Sequence, residues 1–562
     1  MKTSAYWMLM RQSLVLAAIS AAPVVGAEAG KQSPQEVFES SAPVKPAGEI
    51  DKLVLAKLSS LGIQPELCSD AVFVRRAYLD VIGALPTAEE ARQFIDDPVT
   101  KNKRRLLIDR LLEREEFADY WAMKWGDILR IKAEFPVNLW PNAAQAYHRW
   151  IRAALADNKP YDQFARELLT SGGSNFRVGP VNFYRAIQNK TPEGIATAVA
   201  LALMGSRADS WPKERLEGMA VFFSQVGYKP TSEWKEEIVF WDPLGSAAIA
   251  TNVVPGQDKV TVAPAVADPA EEPAKLAKIE PLEAVFPDGT PCKLAANRDP
   301  REAFADWLIA PENPWFTRAI VNRVWAWLLG RGIVHEPDDI RDDNPPSNPA
   351  LLAYLEKEMV AGGYDMKRLY RLILNSRTYQ FSSMPSFDNP EAVANFAAYP
   401  CRRLDAEVLI DAINKVTGTT DLYTSAIPEP YSYIPKDMPA VAIADGSITS
   451  AFLTLFGRPA RATGMANERD NKPVPPQWLH LLNSSHIQQK LERSTPLKAI
   501  FNSGRKPAEI LEDLYLTILS RRPTKDEAKT ALEYYQATKS KRDAAIDLSW
   551  ALINSTEFLY RH

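Results

Sequence analysis

Cysteine and histidine are scarce in this chain, three and five among 562 residues, and that scarcity excludes several chemistries. Cys68, Cys292 and Cys401 are widely separated and odd in number, so at most one disulfide can form, and burial as small apolar side chains is their plainer use. His148, His335, His480, His486 and His562 form no spaced ligand set. His480 and His486, six apart, fall on different faces of a helix. No HExxH, GxSxG, Walker loop, GxGxxG or CxxCH occurs, which disfavours histidine-based metal catalysis and nucleotide binding. An excess of positive charge is also lacking: 66 Lys and Arg against 70 Asp and Glu leave −4, without the broad basic field that a phosphate backbone requires. Nucleic acid is not an expected partner. Beyond the N-terminus no apolar run is long and uncharged enough to span a bilayer.

What is present is ordinary globular composition, 46% apolar and 24% charged, with room for two to four domains at about 150 residues each. Residues 1–27 read as a cleaved signal peptide: Lys2 and Arg11 supply charge, SLVLAAISAAPVV is an apolar run too short for a span of about 20 residues, and Val25-Gly26-Ala27 offers small residues before a cut. The mature protein is therefore expected to be periplasmic or secreted. Residues 28–48, with Pro, Ala, Ser and Glu and no apolar period, read as a flexible tether. Residues 49–227 are helical in texture; SDAVFVRRAYLDVIG places Val72, Phe73, Ala77 and Val81 near one stripe with Arg75, Arg76 and Asp80 elsewhere, and Thr87 with Glu90 spells a capping box. Residues 228–297 combine β-branched runs (EEIVFW, AIATNVV, KVTVAPAV) with a Pro-rich connector. Residues 298–562 return to helices, with Asn348-Pro349 as cap and first turn of one that ends at a double glycine. Within them the stretch from Thr419 to Pro439 is a long Pro and Tyr loop of the kind that is usually functional or mobile. The fold class expected is mainly α, two helical lobes with a small β-rich insertion and connector between them. PTAEEARQFI leading to LIDRLLEREEF is echoed by PTKDEAKTALEYY leading to LSWALINSTEF, either a repeated helical hairpin or convergent capping.

Candidate binding residues come from aromatic and cationic clusters. Trp121, Trp125, Trp140 and Trp150 would suit stacking on sugar rings if exposed, although helical spacing equally suits core packing. Arg323 and Arg331 can hold an anion or pair with local acids. The most oxygen-rich segment, HEPDDIRDDNPPSN, offers Asp338, Asp339, Asp342, Asp343 and Asn344 to a hard cation such as Ca²⁺, without EF-hand spacing; a solvated or Arg-paired loop is the simpler account. Paired carboxylates for glycan hydrolysis are available anywhere among 70 acids, and Asp127, beside Trp125, is one place where burial can raise a carboxyl pKa.

FVRRAYLDVIGALPTAEEARQF with LIDRLLEREEFADYWAMKWGDILR resembles the first of two paired domains of unknown function in large exported proteins of Planctomycetes and Verrucomicrobia. NPWFTRAIVNRVWAWLLGRGIVHEPDDIRDDNPPSNPALLAYLEKEMVAGGYDMKRLYRLILNSRTYQ, FGRPARAT and WLHLLNSSHIQQKL resemble the second. The resemblance covers most of the mature chain and implies a cytochrome-associated architecture. The stretches that match Cys-bearing segments of relatives are here LALMGSRADSWPKERLEGMAVFF and GMANERDN, without cysteine or histidine, so covalent haem is not expected. With no recognisable catalytic set, the leading expectation is an exported binding or scaffold component of an envelope-associated polysaccharide-processing system, its partner a polysaccharide or another exported protein and its cofactor none. A carboxylate-dependent glycan hydrolase assisted by Ca²⁺, and a degenerate relative of electron-transfer proteins, are the alternatives.

Overall fold

Helix starts are legible in the local chemistry, and the computed structural model realises them. It describes residues 37–99, 102–244, 282–384, 389 and 391–562. The expected signal peptide, residues 28–36 of the tether, and the strands expected at Ala248–Val254 and Lys259–Val266 lie outside these; the rest of the tether is described, and in it Glu39–Ser40 pairs with Leu67–Cys68. Thr87 accepts from the Glu90 amide at 3.1 Å while the Glu90 carboxylate accepts from the Thr87 amide at 2.7 Å, opening helix Ala88–Asp96. Asn348 caps helix Pro349–Ala361 through the Leu351 amide, and the chain leaves it at Gly362 and Gly363.

The architecture is mainly α. Two short antiparallel hairpins stand where β texture was expected. Val226–Pro230 pairs with Glu237–Trp241, and Gly173–Ser174 adds to the far edge of the latter strand. Leu282–Val285 pairs with Pro291–Leu294. A two-residue strand, Arg402–Arg403, pairs with Tyr560–Arg561 near the C-terminus. The three cysteines are all unpaired.

A single hydrophobic cluster runs from Ile50 to Leu559, so the N- and C-terminal helical regions share a core. Helix Asp70–Val81 shows how. Arg75, Arg76 and Asp80, expected on its polar side, are as buried as Phe73 and Ala77. Arg75 donates to the carbonyls of Ile518 and Phe558, and Arg76 to those of Tyr379, Phe381 and His562. Asp80 accepts from the hydroxyls of Tyr379 and Tyr399, each at 2.8 Å, and from Arg561 at 3.1 Å. The polar side of this helix meets the C-terminal region, and the charges are buried because each has a partner there.

The sequence echo is a structural repeat. Helices Asp70–Val81, Ala88–Asp96 and Lys103–Leu112 are matched by Pro507–Leu519, Lys525–Ala537 and Lys541–Ile553. Thr524 and Glu527 form the same capping box as Thr87 and Glu90. In the first copy Arg114 bridges the capping Glu90 and Glu116; in the second Arg521 bridges Glu527 and Glu557. The copies touch, helix Ala88–Asp96 lying on helix Pro507–Leu519 with Arg522 paired to Asp96 at 2.7 Å.

Candidate functional site

Three segments distant in sequence bring an aromatic ledge to the surface. The first follows helix Glu115–Ile128. Its backbone is fixed by Asp445, which accepts from the Ala133 amide at 2.8 Å, and by Ser447, which accepts from the Glu134 amide at 2.9 Å. It ends at Trp140, held at φ 73° ahead of Pro141, the first residue of the next helix. A left-handed tryptophan is conformationally costly and persists only where its surroundings fix it. The second segment is the tip of the Val226–Pro230/Glu237–Trp241 hairpin. The Thr231 amide donates to the Glu236 carbonyl at 3.1 Å, and the buried Glu236 carboxylate accepts from the hydroxyls of Thr231 and Ser174. That clamp projects Trp234, 61% exposed, and Lys235, at φ 65°. The third is the Pro and Tyr loop, tied to the first where Glu134 accepts from the Ala426 amide at 3.2 Å, and it contributes Tyr431, 48% exposed.

The three rings meet. Trp140 lies 4.6 Å from Trp234 between centroids at 71°, and 5.6 Å from Tyr431 at 60°; Trp234 and Tyr431 are 5.8 Å apart at 65°. Edge-to-face contact at these distances leaves no space for a ligand between the rings, so the surface on offer is their outward faces. Tyr433 and Phe135, 71% and 79% exposed, stand on the same two loops. Lys235 Nζ sits 5.6 Å from the Trp234 centroid and 5.8 Å from that of Trp140.

Of the tryptophans singled out by sequence, only Trp140 belongs to this ledge. Trp121 and Trp125 are 1% exposed; Trp121 donates to the Val81 carbonyl and packs on Tyr370 at 4.4 Å, and Trp125 packs on Phe164. They serve the core and offer no face to a ligand in solvent. Trp150 is half-buried, stacked on Phe164 with its indole N–H on Glu167. Arg323 is buried, donating to the Leu201 and Ala202 carbonyls and to Asp338 at 3.0 Å. Arg331 is half-buried near His335. Trp234 and Tyr431 are not among the residues that the sequence singles out, although a tryptophan in a hairpin turn stands outside any helical or strand period.

In the acidic loop the carboxylates are divided among separate partners. Asp338 takes Arg323 and the Ala466 amide. Asp339 and Asp343 flank Arg341 at 3.3 and 3.4 Å, and the Asn344 side chain donates to the carbonyls of His335 and Asp339. Asp342 bears electrostatically on Arg215. Among the described residues no three His, Cys, Asp or Glu side chains are gathered as a metal ion would need. The same loop is where the LALMGSRADSWPKERLEGMAVFF and GMANERDN stretches converge: the Ile340 amide donates to the Gly205 carbonyl, Arg207 pairs with Glu336, and Asn467 donates to Glu336. The side chains gathered there carry no thiol and do not suit a porphyrin held through thioether bonds.

A second cluster lies at the base of the Pro and Tyr loop. Helix Pro475–Asn483 ends at Ser484, whose extended backbone starts helix Ser485–Arg493 in a new direction. The break brings together the two histidines that a continuous helix would have separated: His480 Nε2 and His486 Nδ1 are 3.3 Å apart, and His486 Nε2 lies 2.8 Å from Asp421 Oδ1. Lys490 pairs with the other Asp421 oxygen at 3.0 Å. Burial, with His486 adding to it, lowers the His480 pKa. Burial would raise that of Asp421, but His486 and Lys490 hold it below its usual value. Nearby Asp411 is pushed up to about 7 by burial, with Glu407 and Asp421 adding to the rise against the amides of Ala440 and Val441 that it accepts from.

Deeper still, Asp127 joins Arg461 at 2.9 Å and Arg469 at 2.7 Å, and Arg469 reaches Glu407 at 2.7 Å. Arg130, three residues on from Asp127, donates to the Thr463 carbonyl at 3.0 Å. This seam fastens the FGRPARAT and GMANERDN stretches to helix Glu115–Ile128.

Residues 49–203 match the model of PSCyt2, a protein of unknown function (DUF1549), and residues 300–535 that of PSD1, a protein of unknown function (DUF1553). Both of the paired domains suggested by the sequence are thus present. No curated protein matches the chain, and no solved structure does. No helix among the described residues is long and apolar enough to cross a membrane.

Proposed function

We propose that this chain, which joins two domains of unknown function, is an exported polysaccharide-binding component of an envelope-associated processing system. One observation carries the reading: the exposed rings of Trp234 and Tyr431 meet the half-buried Trp140, the three drawn from separate segments whose backbone is fixed by hydrogen bonds. Contiguous exposed aromatic surface marks interaction sites, and an amphipathic ring face suits the C–H-lined face of a pyranose with little conformational entropy to lose. Affinity electrophoresis through gels containing polysaccharides tests it. Wild-type protein is expected to be retarded by at least one glycan and the Trp234→Ala variant to migrate freely; absence of retardation across a broad panel would count against the reading.

Hydrolysis of a glycan is the second reading, favoured by Asp411. A carboxyl with a pKa near 7 can hold a proton for a leaving group, and the Asp421–His486–His480 chain beside it is an acid–base system that the acidic loop does not offer. Turnover of polysaccharide mixtures that falls in Asp411→Asn and persists in Asp342→Ala would support this reading; unchanged turnover in Asp411→Asn would remove it.

A further inference from the structure

The cation of the ledge, which has no ion pair among the described residues, narrows its ligand. Lys235 is exposed at the hairpin tip, and its contacts are with aromatic rings. Two carboxylates of the same segments face elsewhere: Glu236 is engaged by Ser174 and Thr231, with Arg177 at 3.6 Å, and Glu134 accepts from Ser425 and Ala426. Glu233, two residues before, is exposed and makes no ion pair with it among the described residues. Lys235 Nζ stands over the Trp234 ring, 5.6 Å from its centroid, and over that of Trp140, 5.8 Å from its centroid. A sugar that stacks on Trp234 meets this exposed ammonium, whose flexible stem turns to the ring-edge substituents of the sugar. The positive φ of Lys235 and the Glu236 clamp fix the backbone from which the ammonium reaches it, so part of the ordering cost is met before binding.

We propose that the ledge takes an anionic polysaccharide, a chain of uronic acids whose pyranose face stacks on Trp234 while its carboxylate pairs with Lys235. This rests on the reading of the ledge as a glycan site and specifies its substrate class. A cation beside an aromatic platform gives charge selectivity that stacking alone does not.

The full chain and its Trp234→Ala, Lys235→Gln and Lys235→Arg variants are to be run through gels containing polygalacturonate or its fully methyl-esterified form, at low and high salt. The wild type is expected to bind the free acid more tightly than the ester. Lys235→Gln should weaken binding to the acid about threefold, as an exposed ion pair would, and leave the ester unchanged. Lys235→Arg should keep the preference, and high salt should remove it. Equal binding of acid and ester by the wild type, or no change in Lys235→Gln, would overturn the uronate assignment. If Trp234→Ala still binds both polymers as the wild type does, the ledge itself is refuted; loss of both in Trp234→Ala with no effect of Lys235→Gln refutes only the charge assignment.

Discussion

Gly83 and Ser520 occupy the same left-handed position, φ 63° and 61°, at the exit of the first helix in the two copies of the repeat. Glycine pays nothing for that conformation, whereas serine is strained by about 1 kcal/mol. The Ser520 hydroxyl is buried and has no hydrogen-bond partner among the described residues. Ser520→Gly should therefore stabilise the protein by about 1 kcal/mol. The reverse change at the matching site is costly, because a Cβ on Gly83 would lie 2.5 Å from Tyr120 Cδ2; Gly83→Ala should destabilise by about 2 kcal/mol or more. Urea midpoints at constant slope read both. A destabilised Ser520→Gly would mean that the two turns are not equivalent.

The Asp127–Arg461–Arg469–Glu407 seam predicts how the chain unfolds. Its charges are nearly excluded from solvent, and truncating one member leaves its partner charged in a low-dielectric interior. Arg461→Met is expected to cost about 3–5 kcal/mol. Because the seam and the hydrophobic core are continuous between the two family regions, tryptophan fluorescence and far-ultraviolet circular dichroism should report one coincident transition. Separate transitions for the two halves would contradict a shared core.

Acid should loosen the same seam. Burial opposes ionisation of Glu407, yet Arg469 and Arg458 hold its pKa at about 2, and Asp405 is held well below its usual value against burial by Lys124, Arg561 and Arg469. A carboxyl whose folded pKa is depressed contributes stability that is complete above its unfolded value and is lost as pH falls through the folded one. The window for Glu407 runs from about 4.5 down to about 2, with about 3 kcal/mol at stake. Asp411 works in the opposite sense. Its folded pKa of about 7 means that its contribution is greatest below the ordinary carboxyl range and is lost as pH rises toward neutrality. Asp411→Asn should flatten the slope of stability between pH 4 and 8; an unchanged slope would show that Asp411 titrates normally.

Much of the fold was readable because its signals are local. The Thr87/Glu90 and Thr524/Glu527 boxes, the Asn348 cap and the EEIVFW strand each depend on neighbours within a few residues. Arg75, Arg76 and Asp80 could not be placed the same way. Their periodicity describes a solvated helix side, and only the arrival of Tyr379, Phe558 and Arg561 from the far end of the chain makes that side an interior. The histidines failed for a related reason, since a single extended residue at Ser484 resets the helical phase and turns a separation into a contact. At the ledge, Trp140 was among the candidates, but periodicity does not reveal that a hairpin tip and a loop nearly 200 residues later place Trp234 and Tyr431 against it.

Trp125 and Trp234 separate stability from binding. Trp125 is enclosed by Phe164, Tyr161 and Trp327, so Trp125→Ala leaves a large cavity and should cost about 3–5 kcal/mol. Trp234 projects from a turn whose shape is set by the Glu236 clamp, so Trp234→Ala should change stability by less than about 0.5 kcal/mol. Its effect should fall on glycan retention, where an aromatic anchor at the centre of a site contributes about 2 kcal/mol, or roughly thirtyfold in affinity. Tyr431→Ala should fall between, because losing that ring uncovers the edges of both tryptophans without removing the principal face. Thermal melts and affinity electrophoresis on the same preparations distinguish these outcomes. A Trp234→Ala protein that melts early would make the ledge a packing feature of the surface and take away the basis for a binding site there.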